Sequence, residues 1–199
     1  MKEIIISVLI GYLVGSIPWG LIIGKVFFHK DIRNYGSGNL GGTNAGRVLG
    51  APIGILVIVL DAMKAIIVMA ILNRIYPNAI EYAGLAVCVG HCFPIFAGFR
   101  GGKAVACTYG YLLGLAIFIT KDAFTLLIPL GVFLICLLLS RIVSFSSIIG
   151  VSSSMIYMLF KKSRLFVLLL LLTTFVIIRH SENIKRILDG KESRIGRKK

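Results

Sequence analysis

Charged residues are scarce in this chain. They make up 15% of its 199 residues, whereas 57% of the residues are hydrophobic. A soluble domain averages about 25% charged residues, so a chain this poor in charge is ill suited to facing water on every side. The composition argues against an ordinary water-soluble globular protein and indicates a protein whose solvent is largely a lipid bilayer.

Acidic residues are the rarer charged type. Only eight Asp and Glu oppose 22 Lys and Arg, which gives a net charge of +14. In a membrane protein such a balance usually reflects orientation and contact with anionic lipid or phosphate. Nucleic-acid binding is the alternative interpretation of a basic chain; we expect the bilayer, and no nucleic acid, to be the partner.

Groups of metal-binding side chains are also lacking in the sequence. A metal site requires clustered Asp, Glu, His or Cys, and no such cluster stands out, so we expect no metal and no cofactor. The four cysteines lie inside apolar runs without a C-x-x-C pair and are expected to be small buried hydrophobic residues. They are Cys88, Cys92, Cys107 and Cys136.

Long apolar runs dominate what is present. A helix that crosses about 30 Å of hydrocarbon needs roughly 20 residues, or fewer where the bilayer adapts, and an open sheet is excluded because unpaired strand edges are not tolerated in lipid. The runs predict an all-α integral membrane protein with a single domain over residues 1–199. Its seven transmembrane helices are expected near 4–23, 51–72, 79–97, 104–120, 123–140, 144–160 and 165–178, and a basic tail follows over 179–199.

The positive charges predict the orientation. With seven spans, one side of the membrane receives fifteen Lys and Arg and the other side receives six. The positive-inside rule then places the C-terminus in the cytoplasm and the N-terminus outside the cell. Two glycine-rich loops, Arg141 and the start of the tail all fall on this cytoplasmic side.

The first glycine-rich segment contains a G-x-G-x-x-G pattern over Gly36–Gly41, with Asp61 about twenty residues later. This is the spacing of a dinucleotide-binding fingerprint, but that motif requires a strand before it and a helix after it in a βαβ unit. Here a membrane helix precedes it, and Asp61 lies within the second predicted span, where we expect a buried i,i+3 pair with Lys64. A dinucleotide site is therefore excluded.

The same segment is suited to an anion. Its glycines can turn backbone N–H groups inward as an anion-binding nest, and Arg47 offers a fork suited to phosphate. Neutral donors come from Ser37, Asn39, Thr43 and Asn44. A flexible polar linker is the alternative, although a linker would not require two Asn and an Arg just before a membrane helix.

Two further segments carry polar residues at the cytoplasmic ends of predicted spans. Gly101-Gly102-Lys103 opens the fourth span, so helix N-terminal N–H groups and an ammonium are expected at one place. At the start of the tail, His180 and Asn183 would share a face of a continuing helix; a stop-transfer cluster of cations is the alternative there. His91 near the membrane interface is either a packing or a functional residue.

Three segments resemble the three motifs of the bacterial acyl-phosphate:glycerol-3-phosphate acyltransferases. The matching patterns are S-G-N-x-G-x-T-N-x-x-R over Ser37–Arg47, G-H-x-F-P-x-F-x-G-F-[KR]-G-G-K-A-V-A over Gly90–Ala106, and R-H-x-x-N-I-x-R over Arg179–Arg186. The resemblance runs from the first span to the tail. It departs only in Arg100, where Lys is common, and in Cys107 after the last motif residue of the second segment.

The resemblance implies a seven-span membrane enzyme of phospholipid synthesis, located in the bacterial cytoplasmic membrane with its active site facing the cytoplasm. Such an enzyme moves a fatty acyl group from acyl phosphate to the 1-hydroxyl of sn-glycerol 3-phosphate, giving lysophosphatidic acid and phosphate. The catalytic residues implied are Ser37, His180 and Asn183. The substrate-binding residues implied are Gly38, Asn39, Gly41, Thr43, Asn44, Arg47, His91, Gly101, Gly102, Lys103 and Ser144.

The donor and the reaction class have alternatives. Acyltransferases with soluble thioester donors use an H-x-x-x-x-D motif, but the residues five places after the three histidines are Asn34, Phe96 and Lys185. This argues against acyl-CoA or acyl-carrier-protein donors. An anion transporter or channel is the alternative from another class, since glycine-containing loops also build such sites, and a non-catalytic lipid-binding scaffold is a third.

Overall fold

All regular structure in the part of the chain that is described is helical. The computed structural model describes residues 1–196, and its helices confirm the all-α prediction. The chain divides into two compact units, Met1–Ile119 and Thr120–Lys199, each of which we describe by itself. The expectation of one domain over 1–199 remains a prediction.

The first unit contains six α-helices. The first predicted span is broken into two of them, because Pro18 has no backbone N–H with which to continue a helix. The helices are α1 (Lys2–Gly15), α2 (Trp19–Phe28), α3 (Gly42–Leu49), α4 (Ala51–Leu72), α5 (Ile80–Cys92) and α6 (Val105–Gly114). Short 3₁₀ turns lie at Ile32–Asn34, Pro77–Ala79 and Ile95–Ala97, and a π-helical turn, Leu115–Thr120, follows α6.

The described part of the second unit, residues 120–196, contains four α-helices, of which α8 packs against both α7 and α9. They are α7 (Phe124–Ser140), α8 (Val143–Phe160), α9 (Leu165–Arg179) and α10 (Ser181–Leu188). The axes of α9 and α10 differ by 59°. The helix of the seventh predicted span therefore does not continue into the tail but ends at Arg179.

Within residues 1–196, four helical segments are long and apolar enough to cross a membrane, by length and composition. They are Lys2–Phe28, Ala51–Leu72, Pro77–Ala97 and Val143–Phe160, and the bent pair of α9 and α10 would make a fifth. Two shorter apolar segments are Val105–Thr120 and Phe124–Ser140. Each of the seven predicted runs thus holds a helix, whereas the count of seven spans and their orientation remain predictions.

Glycines bring the backbones of α1 and α5 into contact. A Cβ placed on Gly11 would overlap the backbone oxygen of Ala83, and one placed on Gly15 would overlap that of Val87. Gly11 and Gly15 lie one helical turn apart on one face of α1. Since each of them meets main chain rather than a movable side chain, the distance between these two helices is fixed by the absence of a methyl group.

We expect Gly15→Ala to lower the free energy of unfolding by about 1–3 kcal/mol, because the added methyl must push α1 away from α5. Thermal denaturation of the purified protein in detergent measures this. The matched control is Gly131→Ala in α7, where a Cβ would meet no atom within 4 Å and the better helix propensity of Ala stabilises by up to about 1 kcal/mol. A Gly15→Ala protein as stable as the wild type would contradict the proposed backbone contact.

Candidate functional site

The segment that leads into the first motif is held by Asp31. Its Oδ1 accepts hydrogen bonds from Arg33 N (3.1 Å) and Nε (2.9 Å), and its Oδ2 lies 2.6 Å from Arg33 Nη2. Lys25 Nζ adds an ion pair at 3.5 Å. The hydrogen bonds from Arg33 hold the pKa of Asp31 well below its ordinary value, so this anchor of the Ile32–Asn34 turn stays charged at neutral pH.

Asn44 organises the first motif from within. Its side chain is almost fully buried; Nδ2 donates to the carbonyl oxygens of Ile32 (3.0 Å) and Tyr35 (3.2 Å), and Oδ1 accepts from Ser37 N at 2.8 Å. Gly36 has φ 61°, and a Cβ there would overlap Asn44 Oδ1. Asn44, expected among the substrate-binding residues, therefore contacts the loop itself and holds it in shape.

Three amides of the predicted nest, and one amide of the second motif that was expected to face an anion, donate within the protein instead. Gly41 N donates to Asn39 Oδ1 at 2.8 Å, and Gly38 N donates to Tyr35 O at 3.0 Å. Ser37 N is held by Asn44, as described above, and in the second motif Gly102 N donates to His91 O at 2.9 Å. These amides stabilise the loops, because each of them donates to an oxygen of the protein.

The rest of the first motif is helical rather than a loop, since α3 begins at Gly42. Thr43 and Arg47 lie four residues apart on its exposed face, while Asn44 lies on the buried face. Ser37 is exposed as well. The first motif thus divides into residues that build the loop and residues that face outward, and the outward set contains a hydroxyl pair and a guanidinium.

The second motif lies beside the first. Asn39 Nδ2 donates to Gly101 O at 3.4 Å, across 62 residues of sequence. A Cβ on Gly101 would overlap His91 O, and one on Gly102 would overlap the His91 ring at Nε2. Lys103 is half-buried, and α6 begins two residues later, at Val105, so the helix does not open at the glycines as expected.

Beneath this segment lies a buried polar cluster. The predicted i,i+3 pair is confirmed: Lys64 Nζ is 2.7 Å from Asp61 Oδ1, with both side chains at most 3% exposed. His91 Nδ1 lies 3.4 Å from the same oxygen, and Cys107 Sγ donates to Asp61 O at 3.2 Å. No sequence pattern indicated that His91 and Cys107 would join this pair, because their positions along the chain are far from Asp61.

Asp61, His91 and Cys107 offer three potential metal-ligand atoms within 4.8 Å of one another. The carboxylate oxygen that would bind a metal ion already pairs with the Lys64 ammonium. A divalent cation would have to lie against that positive charge or displace it. The donor set therefore fits a charge-neutralised structural cluster better than a metal centre.

The second unit holds two of the remaining predicted residues, Ser144 and Asn183, around a carboxylate that sequence reasoning missed. Glu192 Oε1 accepts from Ser144 Oγ (2.7 Å) and Asn183 Nδ2 (2.6 Å), and Oε2 accepts from Arg186 Nε (2.7 Å). Burial opposes ionisation of Glu192, but these three hydrogen bonds outweigh it and keep its pKa below the ordinary value of 4.5. Its stabilising contribution is therefore complete above pH 4.5 and is lost as the pH falls through the lowered pKa.

His180 lies at the bend between α9 and α10. It is buried, and its Nδ1 donates to Val176 O at 2.8 Å, since a carbonyl oxygen can only accept. Asn183 lies in the first turn of α10. The sequence analysis expected the two residues to share a face of one continuous helix. The bend at His180 shows that they do not.

The structure thus groups the predicted site residues by unit. The first unit holds Ser37, Gly38, Asn39, Gly41, Thr43, Asn44, Arg47, His91, Gly101, Gly102 and Lys103, with the two motifs joined through Asn39. The second unit holds Ser144, His180 and Asn183, with Ser144 and Asn183 joined through Glu192. Their convergence on one membrane face remains a prediction.

Comparisons of the sequence give a consistent result over nearly the whole chain. The sequence model of the family described as glycerol-3-phosphate acyltransferase matches residues 5–190. The chain is 42% identical over 200 residues to the glycerol-3-phosphate acyltransferase of Macrococcus caseolyticus. The alignment covers 99% of this chain and 100% of that protein. It is 44% identical over 199 residues to the protein of the same name from Listeria monocytogenes serovar 1/2a, which covers 97% of each.

Comparison with solved structures leads to the same family as the sequence comparisons. Two crystal structures of PlsY, an integral membrane glycerol 3-phosphate acyltransferase, are similar to this fold. The glycerol 3-phosphate form has a TM-score of 0.88 at 34% identity and covers 97% of this chain and 96% of that one. The lysophosphatidic acid form has a TM-score of 0.84 at 32% identity and covers 97% and 95%.

We expect Glu192→Gln to lower the free energy of unfolding by about 1.5–3 kcal/mol, because a neutral amide replaces the acceptor of charge-assisted hydrogen bonds. Thermal denaturation in detergent measures the loss. The matched control is Glu182→Gln, since Glu182 faces the same Arg186 at 3.9 Å but is 88% exposed, and an exposed pair contributes about 0–1 kcal/mol. Equal losses in the two variants would contradict a special role for Glu192.

Proposed function

The chain belongs to the glycerol-3-phosphate acyltransferase family, and from this we propose that it transfers a fatty acyl group from acyl phosphate to the 1-hydroxyl of sn-glycerol 3-phosphate. The products are lysophosphatidic acid and inorganic phosphate. Acylation of glycerol 3-phosphate in a membrane is what the family and the PlsY structures support. The nature of the donor and the position acylated are the finer part of the proposal.

One structural observation carries the proposal. In the first unit, Asn39 joins the Ser37–Arg47 motif to the Gly101–Lys103 segment. The outward-facing residues of the first motif and the ammonium of Lys103 therefore belong to adjacent segments, although more than fifty residues separate Arg47 from Lys103. Two cations on adjacent polar segments suit a reaction in which both substrates carry phosphate.

Acyl phosphate as the donor is supported by the motifs and by the missing H-x-x-x-x-D pattern. The structure does place an Asp beside a His, since Asp61 Oδ1 lies 3.4 Å from His91 Nδ1. That pair is buried, and the His91 ring faces Gly102. A general base must reach the acceptor hydroxyl, so we do not assign that function to this pair.

Binding of the phosphates falls to side chains more than to the loop amides. Since the amides of Ser37, Gly38, Gly41 and Gly102 are used within the protein, we assign the phosphates to Arg47 and Lys103. The first turn of α3 adds backbone N–H groups that have no acceptor within the helix, at Gly42 and Thr43. Ser37 supplies a neutral donor beside them.

The chemical step requires little from the protein beyond orientation. Acyl phosphate is a mixed anhydride, so the 1-hydroxyl attacks the carbonyl carbon directly, a C–O ester bond forms, and the bond from that carbon to the phosphate oxygen breaks. We propose that Ser37, His180 and Asn183 orient the hydroxyl or stabilise charge on the carbonyl oxygen. The hydroxyl proton passes to an oxygen of a substrate phosphate.

The remaining expectations form part of the same proposal. We place the enzyme in the bacterial cytoplasmic membrane with seven spans, the N-terminus outside and the glycine-rich motifs on the cytoplasmic side. The excess of Lys and Arg on the predicted inner loops supports this orientation. Ser144 acts with the other residues of the second unit in substrate binding, and no cofactor or metal is required.

The first test is activity of the purified protein with palmitoyl phosphate and labelled glycerol 3-phosphate. We expect lysophosphatidic acid to form without ATP, CoA or metal. Arg47→Lys should lower kcat/KM by roughly 10- to 150-fold, because a point charge replaces a two-pronged donor to phosphate and a charge-assisted bond contributes about 1.5–3 kcal/mol. The matched control is Arg100→Lys, at an exposed position where the motif admits Lys, and it should keep wild-type activity. Wild-type protein that forms no product would refute the proposed reaction.

The second test concerns the proton. If a substrate phosphate accepts it, the pH–rate profile of kcat should keep the same ionisations in His180→Ala, with only a lower rate. His180 is then an orienting residue, and its removal costs rate at every pH. An ionisation that is present in the wild type and missing from the variant would identify His180 as the base.

A further inference from the structure

The buried cluster of Asp61, Lys64, His91 and Cys107 lies where three helices of the first unit meet. Asp61 and Lys64 belong to α4, His91 to the last turn of α5 and Cys107 to the first turn of α6. Lys64 Nζ donates to the carbonyl of Gly15 at 3.2 Å, and the His91 ring lies against Gly102 of the second motif. None of its members except His91 was expected to take part in function.

Burying this cluster costs free energy, so its presence requires an explanation. Removing two charges from water costs several kcal/mol each, and apolar residues of similar volume often replace a buried ion pair without loss of stability. Asp61 and Lys64 already neutralise each other at 2.7 Å. Charge balance alone therefore does not explain why the same carboxylate oxygen also faces His91 Nδ1 at 3.4 Å.

His91 is the connection between this carboxylate and the glycine segment. One side of its ring faces Asp61, and the other side, at Nε2, lies so close to Gly102 that a methyl group there would overlap it. The His91 carbonyl accepts the Gly102 N–H at 2.9 Å. Gly102 is thus fixed both by the main chain and by the ring of one residue, and a rotation of that ring would move it.

The glycine segment, in turn, sets the place of Lys103. Gly101 packs on the His91 carbonyl and accepts Asn39 Nδ2 through its own carbonyl. Ala104 follows Lys103 with φ 61° and leads directly into α6. With both ends of the segment fixed in this way, the position of the His91 ring determines where the Lys103 main chain lies.

We propose that Asp61 is a positioning residue that acts through His91: it fixes the imidazole ring against Gly102 and so holds the Gly101–Lys103 segment in its phosphate-binding form. This inference rests on the proposed function, since it takes glycerol 3-phosphate as a ligand of that segment. It gives His91 a positioning function instead of direct contact with substrate. Lys64 pairs with the carboxylate at 2.7 Å and ties it to α1 through the Gly15 carbonyl.

The experiment is a double-mutant cycle read out as glycerol 3-phosphate affinity, by calorimetry without donor, and as KM with palmitoyl phosphate. Asp61→Asn combined with Lys64→Gln removes both buried charges together, so neither is left unpaired. This variant and His91→Gln should each weaken binding about tenfold with a smaller change in kcat, since a displaced positioning segment lowers productive binding. The triple variant should be no weaker than His91→Gln, because Asp61 acts only through His91.

The matched control is Glu81→Gln, which neutralises another buried carboxylate ten residues earlier on α5, about 15 Å from His91 along the helix. It should alter the melting temperature but not the affinity. Losses of affinity that multiply in the triple variant, or wild-type affinity in the Asp61→Asn/Lys64→Gln protein, would overturn the inference.

If the charge-neutral variant does not fold, His91→Asn and His91→Gln decide the matter. An Asn amide reaches towards Asp61 only and a Gln amide towards Gly102 only, so each should bind glycerol 3-phosphate more weakly than the wild type at an unchanged melting temperature. Wild-type affinity in either variant refutes the inference. Wild-type protein that binds glycerol 3-phosphate but forms no product refutes the proposed reaction and leaves this test intact.

Discussion

Polar groups buried in an apolar helical bundle must find their partners within the protein, because no water is at hand to replace a missing hydrogen bond. This constraint shapes both motif segments of the first unit. The Asn44 side chain satisfies the carbonyls of Ile32 and Tyr35, just before the first motif, and the amide of Ser37. The His91 main chain satisfies Gly102. The loops are consequently tied to the packed helices, and most of the groups they leave for a ligand are side chains.

Local features of the structure followed from the sequence. The second predicted span coincides with α4 at both ends, because it begins after Gly50 and Pro52 suits a first helical turn. The pairing of Asp61 with Lys64 followed from their spacing alone. The helix α3 was missed because Gly42 and Gly46 lower helix propensity; packing against Gly54 of α4, which only glycines allow at that distance, offsets this cost.

Contacts between distant parts of the chain could not be predicted in the same way. The carboxylate of Glu192 reaches Ser144 across 48 residues, and nothing in the spacing of either residue indicates the contact. The three motifs indicated candidate site residues, but they gave no partner for any of them. The prediction of an amide nest was wrong for the same reason. Glycine content indicates that a backbone can turn, but not which acceptor its N–H groups will meet.

The break in the first helical segment has an electrical consequence. In an unbroken helix the carbonyl of Gly15 would accept the N–H of residue 19, but Trp19 N donates to Ile17 O instead. The last carbonyls of α1 form the negative end of its dipole, and one of them points at the Lys64 ammonium. The half-charge of a helix end thus joins the Asp61 carboxylate around a single cation, so the kink at Pro18 and the buried ion pair in α4 are parts of one electrostatic unit.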